Sequence, residues 1–324
     1  MRVVAIDLGG TRLGTAVVDA SGDTVFRESV PLEGRRGREV GALLAERCTA
    51  AQARLRELAG GDAAAVGVAV PGIYRAGRGT VWAPNIPGWD DYPLREELRD
   101  ALGRGIPVVV DSDRAASILG ESWRGAAHGA RNAIFLTVGT GIGAGILADG
   151  RVLRGQGDIA GAIGWLALDR PFRDEYASCG CFEYHASAPG LARVARERME
   201  ADPGYSGELR TLVDAELTAE RIFDAHDRGD GLAREVIDAA IGYWGMAAAN
   251  LVSLFNPEVV VFGGGVFGPA TRFLPRIEAE ARRWAQPIAI GRARFVASAL
   301  GADAALVGAG RLAMLDLRIA AESA

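Results

Sequence analysis

The chain has 324 residues, 49% of them apolar and 24% charged, and its formal net charge is −5. This balance gives no basic excess of the kind that attracts nucleic acid, and no stretch approaches the roughly 20 apolar residues of a membrane-spanning helix. The first residues run into a predicted strand rather than a signal peptide, and three cysteines indicate no disulfide framework. We therefore expect a cytoplasmic protein without nucleic-acid or membrane partners.

The N-terminal part of the chain alternates predicted strands and helices. "RVVAIDLGGTRLGTAVVDASGDTV" predicts two strands joined by a tight glycine turn, with a further turn at residues 21–23. A helix is predicted over about 38–58, and "AAAVGVAVPGIY" and "PVVVDSD" are typical of buried strands. Strands that alternate with helices favour α/β layers.

The second part of the chain repeats this design. "NAIFLTVGTGIGAGILADGRVLRG" is again strand, glycine turn and strand, about 130 residues after the first hairpin. A helical stretch over about 187–255, broken near 203–217, precedes the strand-like "EVVVFGGGVF", and a last helix is predicted over roughly 303–318. The repeat indicates two domains of similar design.

Polar residues interrupt the chain where the strand "VVV" at 108–110 meets the helix that follows. Asp111, Ser112 and Asp113 can cap that helix by accepting hydrogen bonds from its first N–H groups. Alternatively, one of the carboxylates is a general base at the carboxyl edge of a sheet, where α/β proteins place their chemistry. The residues alone leave both interpretations open.

Three glycine turns point to phosphate, because glycine lets backbone N–H groups approach an anion closely. They are "DLGGTR", "VGTGIGAG" and "FGGGVF". The chain contains no lysine, which excludes a P-loop lysine, and the second turn is followed by a strand rather than a helix, which argues against a dinucleotide fold. A single turn of this kind is typical of a hairpin. Three such turns in this order, with Asp7 in the first, are more specific for phosphate binding than any one of them is.

Together these motifs resemble the ROK family of repressors, open reading frames and sugar kinases, within the actin-like, hexokinase-like ATPase superfamily. The resemblance runs nearly end to end and also includes "GVAVPG", "APNIPGW", "GCFEYHAS" and "NPEVVVFGGGV". It implies an α/β fold of two actin-like (ribonuclease H-like) lobes with a nucleotide and substrate cleft between them. The expected smaller lobe is 1–115 plus about 303–324, the larger one is 116–302, and family members are usually homodimers.

The resemblance also implies roles for individual residues. Gly120-Glu121 aligns Asp113 with the family's catalytic aspartate, which would accept the proton of an attacking hydroxyl. Asp7 would bind Mg²⁺ through water, and Asp111 is then left to cap the helix. ATP would bind at Gly9, Gly10, Thr11 and Arg12, at Gly139, Thr140 and Gly141, and at Gly263, Gly264 and Gly265.

The sugar pocket departs from the family pattern. Sugar kinases carry Glu-x-Gly-His where this chain has "AGAIGW", so Ala162 replaces the glutamate and Trp165 the histidine. The zinc ligands are lost as well, since Asp174 and Tyr176 stand at two of the cysteine positions, and we expect no zinc because a closed site needs four ligands. The expected substrate-binding residues are Asn85, Ser112, Asp113, Trp165 and Glu183.

The expected function is an ATP- and Mg²⁺-dependent phosphotransferase acting on a hydroxyl of a sugar or sugar-like compound. Glucose hydroxyls entering the altered pocket would lack partners, so a seven-carbon cyclitol or an amino-hexose is favoured. Repressor members carry a helix-turn-helix ahead of the first phosphate turn, which here begins near residue 4, and this favours a kinase. The alternative is a non-catalytic sugar or nucleotide sensor of the same fold.

Overall fold

The computed structural model describes residues 1–322. The chain forms two compact units. The first unit contains Met1–Arg131, Gly145–Ala160 and the chain from Ala299 onward, and the second contains Asn132–Ala144 and Gly161–Ser298. Among the described residues no helix combines the length and the apolar character that crossing a membrane requires.

The strands and helices of residues 1–322 are numbered in chain order. The strands are β1 (Arg2–Leu8), β2 (Arg12–Asp19), β3 (Thr24–Pro31), β4 (Val66–Val70), β5 (Ile73–Arg75), β6 (Thr80–Trp82), β7 (Val108–Ser112), β8 (Ala133–Val138), β9 (Ile142–Ala148), β10 (Arg151–Val152), β11 (Val259–Gly263) and β12 (Arg294–Ala297). The α-helices are α1 (Arg38–Ala59), α2 (Leu94–Leu102), α3 (Asp113–Arg124), α4 (Tyr176–Cys179), α5 (Cys181–Ala186), α6 (Ala188–Ala201), α7 (Ala219–Asp227), α8 (Gly231–Phe255), α9 (Leu274–Trp284), α10 (Pro287–Ile290) and α11 (Ala304–Glu322).

The first unit is built on a five-stranded sheet of order β3-β2-β1-β4-β7. The strands β1, β4 and β7 are parallel, whereas β2 and β3 continue the sheet as an antiparallel meander. Apolar side chains of α1 and α2 pack on one face of this sheet, and those of α3 and α11 pack on the other. Both faces of the parallel strands are therefore covered, which explains why "VVV" at 108–110 is continuously apolar.

Glycine permits the close packing of α11 in the first unit. A Cβ on Gly308 would lie 1.7 Å from the carbonyl oxygen of Ala116 in α3, and one on Gly67 would lie 1.9 Å from the carbonyl oxygen of Ala309. Gly120 of α3 meets the carbonyl oxygen of Ala304 in the same way, at 2.2 Å. The helix that carries Asp113 is thus packed against the C-terminal helix with almost no side chain between the two backbones.

The second unit contains the parallel strands β8, β11 and β12. The sheet order is β10-β9-β8-β11-β12, and the chain passes from the second unit to the first within β9. The longest helix, α8, has 25 residues and a largely apolar surface. Its buried Trp244 donates a hydrogen bond to the carbonyl oxygen of Ala186 at 3.1 Å, which ties α8 to the end of α5.

The elements agree with the expected order and differ in detail. The stretch predicted as one broken helix over 187–255 is three helices, α6, α7 and α8. Residues 116–131 and 145–160 belong to the first unit, whereas the expected smaller lobe ended at 115. Contacts of α3 with α11 explain this difference: Gly120 packs on that helix, and the buried Glu121 accepts backbone N–H bonds from Ala299 and Leu300.

Candidate functional site

The charge of one carboxylate of the first unit, Asp113, acts on another, Asp7. Asp7 lies in β1, in register with Ala69 of β4, which is in turn in register with Asp111 of β7. Asp113 follows two residues later as the first residue of α3. Burial, followed by the charges of Asp113 and Asp303, raises the pKa of Asp7 to about 7. The sheet therefore presents two aspartates together at the carboxyl edge of its parallel strands.

Asp113 has the environment of a proton acceptor. Its Oδ1 accepts the backbone N–H of Arg114 at 2.7 Å, and the Arg114 guanidinium donates to the carbonyl oxygen of Gly72 at 3.3 Å. Burial raises the pKa of the Asp113 carboxyl, and the positive charge of Arg114 partly opposes that rise. A raised pKa makes the carboxylate a better base than an ordinary aspartate, because it brings the group closer to the operating pH.

Ser112, rather than Asp111, caps α3. The Ser112 hydroxyl oxygen accepts the backbone N–H of Ala115 at 3.3 Å, and its extended backbone is typical of an N-cap residue. The expectation that Asp111 caps the helix is therefore wrong, because that buried carboxylate lies one residue too early and binds Arg154 instead. Contact of Ser112 with a substrate stays a prediction.

The first glycine turn offers unpaired backbone donors. Gly9 closes the turn by donating to the carbonyl oxygen of Arg12 at 2.9 Å, whereas the N–H groups of Gly10 and Thr11 donate to none of the described residues. The side-chain amide of Asn85 lies beside this turn, 3.2 Å from the position that a Cβ on Gly10 would take. The Arg12 guanidinium donates to Ser29 of β3 through Nε and Nη2, at 3.1 and 3.2 Å.

The other two turns lie at one edge of the second unit's sheet. They follow β8 and β11, which are parallel neighbours with Gly263 in register with Thr137. Gly264 has a φ of +86° and leaves no room for a side chain, since a Cβ there would lie 2.4 Å from the Val138 carbonyl oxygen. Thr140 is exposed in the other turn. The fold thus places Gly139–Gly141 beside Gly263–Gly265, as a shared phosphate site requires.

Glu183 lies in α5 of the second unit, close to two glycines. Its Oε2 accepts the backbone N–H of Ile142 at 2.7 Å, and a Cβ on either Gly141 or Gly164 would lie 3.0 Å from that oxygen. Burial raises the pKa of this carboxyl. Its second oxygen has no hydrogen-bond partner among the described residues, so it can accept a hydroxyl. Trp165, by contrast, has 57% of its surface exposed.

An aromatic cluster occupies the positions where the resemblance places zinc ligands. The Tyr176 hydroxyl lies 2.7 Å from Nε2 of His185, and the His185 ring stacks on Tyr243 with 4.6 Å between ring centroids. Cys181 is buried beside them as a free thiol, and Asp174 is exposed. Among the side chains that the structure describes, no cluster of three or more His, Cys, Asp or Glu residues is arranged as a metal site.

The donors present fit Mg²⁺ and phosphate. The Asp7 carboxylate forms no hydrogen bond or ion pair with the described residues, and it lies close enough to the Asp113 carboxylate for that charge to raise its pKa. Hard oxygen donors of this kind suit Mg²⁺, which keeps most of its waters and takes one or two carboxylates. The unpaired N–H groups of Gly10 and Thr11 suit phosphate oxygens.

Sequence reasoning missed three residues that act on these carboxylates. Arg114 and Asp303 change the pKa of Asp113 and Asp7, respectively. Arg154 binds Asp111 from 43 residues further along the chain. Only Arg114 carried a signal in the sequence, because it follows Asp113 directly; the other two are brought near the site by tertiary structure.

A family model described as the ROK family matches residues 3–315. The chain belongs to the ROK family. It is 35% identical over 318 residues to a glucokinase of Halalkalibacterium halodurans, and the match covers 95% of this chain and 94% of that protein.

Solved structures of the ROK family agree over nearly the whole chain. The ROK hexokinase from Thermus thermophilus superimposes with a TM-score of 0.80 at 33% identity, covering 98% of this chain and all of that one. The ROK family glucokinase from Streptomyces griseus, solved with glucose and AMPPNP, gives a TM-score of 0.78 at 30% identity, with 97% and 100% coverage. These matches confirm the predicted α/β, actin-like fold class and the predicted family.

Proposed function

We propose that this protein is an ATP- and Mg²⁺-dependent kinase that phosphorylates a hydroxyl of a sugar-like compound other than plain glucose. Family membership and the glucokinase relatives support the enzyme class, an ATP-dependent sugar kinase. The observation that carries the proposal is the juxtaposition of Asp7 and Asp113 at the edge of one sheet, beside a glycine turn with free N–H groups. The binding sites of ATP and acceptor are part of this proposal.

In the proposed reaction the acceptor oxygen attacks the γ-phosphorus while the bond from that phosphorus to the ADP oxygen breaks. The hydroxyl proton passes to the Asp113 carboxylate, whose raised pKa favours its acceptance. Asp7 would hold a hydrated Mg²⁺, which would neutralise phosphate charge. In the first unit, the proposed phosphate donors are the N–H groups of Gly10 and Thr11. In the second unit, the turns at 139–141 and 263–265 are the proposed nucleotide-binding turns.

The acceptor is proposed from the polar groups that each unit retains at its expected substrate-binding positions. Glu183 keeps one carboxylate oxygen free to accept a hydroxyl, and Asn85 keeps its amide near the first turn. Ala162 has no hydrogen-bonding side chain, and the Trp165 indole offers only an N–H donor and a flat apolar surface. A seven-carbon cyclitol, which lacks the anomeric hydroxyl, or an amino-hexose suits this set better than glucose does.

The test is ADP release from Mg²⁺·ATP across hexoses, amino-hexoses and seven-carbon cyclitols, with Asp113→Asn alongside. The matched control is Asp90→Asn, an exposed aspartate of the same unit whose carboxylate has no partner among the described residues. We expect turnover on a cyclitol or amino-hexose to exceed that on glucose. Turnover should fall at least 10²-fold in Asp113→Asn and stay unchanged in Asp90→Asn, since general-base catalysis contributes about 10²–10⁴-fold.

The other outcomes each overturn a part of the proposal. Glucose as the best acceptor would refute the interpretation of Ala162 and Trp165, and then Ala162→Glu with Trp165→His would bring no gain on glucose. Full activity in Asp113→Asn would refute its role as the base. No turnover on any compound would refute the kinase and favour a sensor.

A further inference from the structure

Asp111 is a buried carboxylate whose two oxygens are both engaged. It is 5% exposed. Its Oδ2 accepts hydrogen bonds from Nε and Nη2 of Arg154, at 3.0 and 2.6 Å, and its Oδ1 accepts the backbone N–H of Ser112 at 2.8 Å. Burying a carboxylate is costly unless it is paired and hydrogen-bonded, so this one is stable where it lies only because Arg154 is there.

Arg154 reaches Asp111 from a separate segment of the first unit. It follows β10, and its backbone carbonyl accepts the N–H of Ala160 at 2.9 Å, which closes the loop between them. The Arg154 side chain is 42% exposed, so the pair lies at the boundary between the protein interior and solvent. Charge-assisted bonds from both nitrogens to one oxygen give the pair a defined orientation as well as attraction.

The carboxylate that Arg154 fixes stands two residues before the proposed base. Asp111 and Ser112 end β7 in register with Ala69 and Val70 of β4, and Ser112 caps the helix whose first residue is Asp113. The peptide N–H that Asp111 accepts is that of Ser112 itself. The Asp111 side chain therefore holds the peptide group at which the chain leaves the strand and enters α3.

The hydrogen bonds of the Arg154 guanidinium go to Asp111 and not to Asp113. The causes of the raised pKa of Asp113 are burial, the opposing charge of Arg114 and backbone hydrogen bonds, and Arg154 is not among them. The contacts therefore connect Arg154 to Asp113 through the geometry of residues 111–113. This separates the two arginines: Arg114 adjusts the basicity of the proposed base, and Arg154 adjusts its position.

We propose that Arg154 is a positioning residue for phosphoryl transfer, acting through Asp111 to fix the turn that presents Asp113 to the acceptor hydroxyl. The inference rests on the proposed function, in which Asp113 is the base. Reacting groups must lie within a few tenths of an ångström of the productive geometry, and a misplacement of about 1 Å can lower the rate about 10²-fold. Loss of Arg154 should therefore lower kcat while leaving the binding of ATP intact.

The surface around the pair allows a chemical rescue experiment. A cavity of about 370 Å³ is lined by Asp111, Arg154, Tyr74 and Arg95, among others. Truncation of Arg154 to alanine enlarges this space next to the Asp111 carboxylate. Guanidinium ion at millimolar concentration can then enter and donate to the same oxygen, so it should restore activity to the variant.

The experiment compares Arg154→Ala, Arg154→Lys and Asp111→Asn in the full chain, with Arg151→Ala as the control. Arg151 is an exposed arginine in β10, three residues before Arg154, with no side-chain partner among the described residues. We expect kcat to fall about 10- to 100-fold in all three test variants, with KM for ATP and the acid limb of the pH profile unchanged. Guanidinium should raise the kcat of Arg154→Ala at least tenfold. It should leave the kcat of Asp111→Asn and of Arg151→Ala unchanged.

A double variant protects the test against a simple loss of folding. Asp111→Asn with Arg154→Ala should be no slower than the worse single variant, because both remove one interaction. Full activity of Arg154→Ala, a shifted acid limb, or multiplicative losses in the double variant would overturn the positioning role. Activity in Asp113→Asn would instead overturn the proposed function, so the two failures are distinguishable.

Discussion

Among single residues, the proposed Mg²⁺ ligand Asp7 lowers the stability of the folded protein at neutral pH, because its buried carboxyl has a raised pKa. Its carboxyl titrates near pH 7 in the folded protein and near its ordinary value of 3.8 in the unfolded chain. Between these values the folded state binds more protons, so the free energy of unfolding falls as pH rises from about 4 to 7. The full difference between the two pKa values corresponds to at most about 4 kcal/mol in the free energy of unfolding.

Asp7→Asn should therefore stabilise the metal-free protein at pH 8 and have little effect at pH 4. The amide keeps the shape of the carboxyl and removes the charge that burial and Asp113 disfavour. The measurement is the melting temperature of both proteins from pH 4 to 8 in EDTA, with Asp90→Asn as the exposed control. A stabilisation that does not change with pH would contradict the shifted titration of Asp7. The same variant should lose Mg²⁺-dependent turnover.

Residues that are adjacent in the sequence were easier to predict than residues brought together by folding. Asp113, Asp7 and the glycine turns stand in local motifs whose order along the chain is informative. The partnership of Asp111 with Arg154 is set by the tertiary structure. The choice between Ser112 and Asp111 as the cap depended on where β7 ends, and a difference of one residue lies within the usual uncertainty of element boundaries.

At the scale of secondary-structure elements, the contact of α3 with α11 determines where the proposed base lies. Gly308→Ala would place a Cβ 1.7 Å from the Ala116 carbonyl oxygen, so the two helices must move apart. We expect a loss of about 1–3 kcal/mol in the free energy of unfolding, as in overpacked cores, together with lower kcat. Urea unfolding and initial rates measure the two effects.

Gly242 provides the matched control for this helix variant. It lies inside α8, and a Cβ added there would meet no atom within 4 Å. Since alanine is the better helix former by up to about 1 kcal/mol, Gly242→Ala should stabilise the protein slightly. Equal effects of the two substitutions would contradict the close approach of α3 and α11.

Predicting the fold itself succeeded where the hydrophobic pattern was strong. Parallel strands covered on both faces are continuously apolar, as β4, β7 and β11 are, and all three were predicted. The alternating β3 and the short β12 carry weaker patterns and were missed. The extent of the first unit also escaped prediction, because the glycine contacts that assign α3 to it involve residues about 190 positions apart.

At the scale of the whole molecule, binding and turnover can be separated by one substitution. Asp113→Asn removes proton acceptance but keeps the volume of the side chain and leaves Asp7 and the glycine turns unchanged. A kinase so altered should still bind Mg²⁺·ATP and its acceptor. Each ligand present at 100 times its Kd adds about 2.7 kcal/mol to the free energy of unfolding, which corresponds to a rise of several degrees in Tm for a chain of this size.

The decisive measurement is the Tm of wild type and Asp113→Asn with Mg²⁺·AMPPNP, with each acceptor of the panel, and with both. For a kinase, equal ligand-induced shifts in the two proteins should accompany turnover in the wild type alone. Loss of the shift in Asp113→Asn would mean that the residue serves binding, and the assignment of a base would fail. Shifts without turnover in either protein would identify a sensor, because stabilisation by ligand requires an intact site but no chemistry.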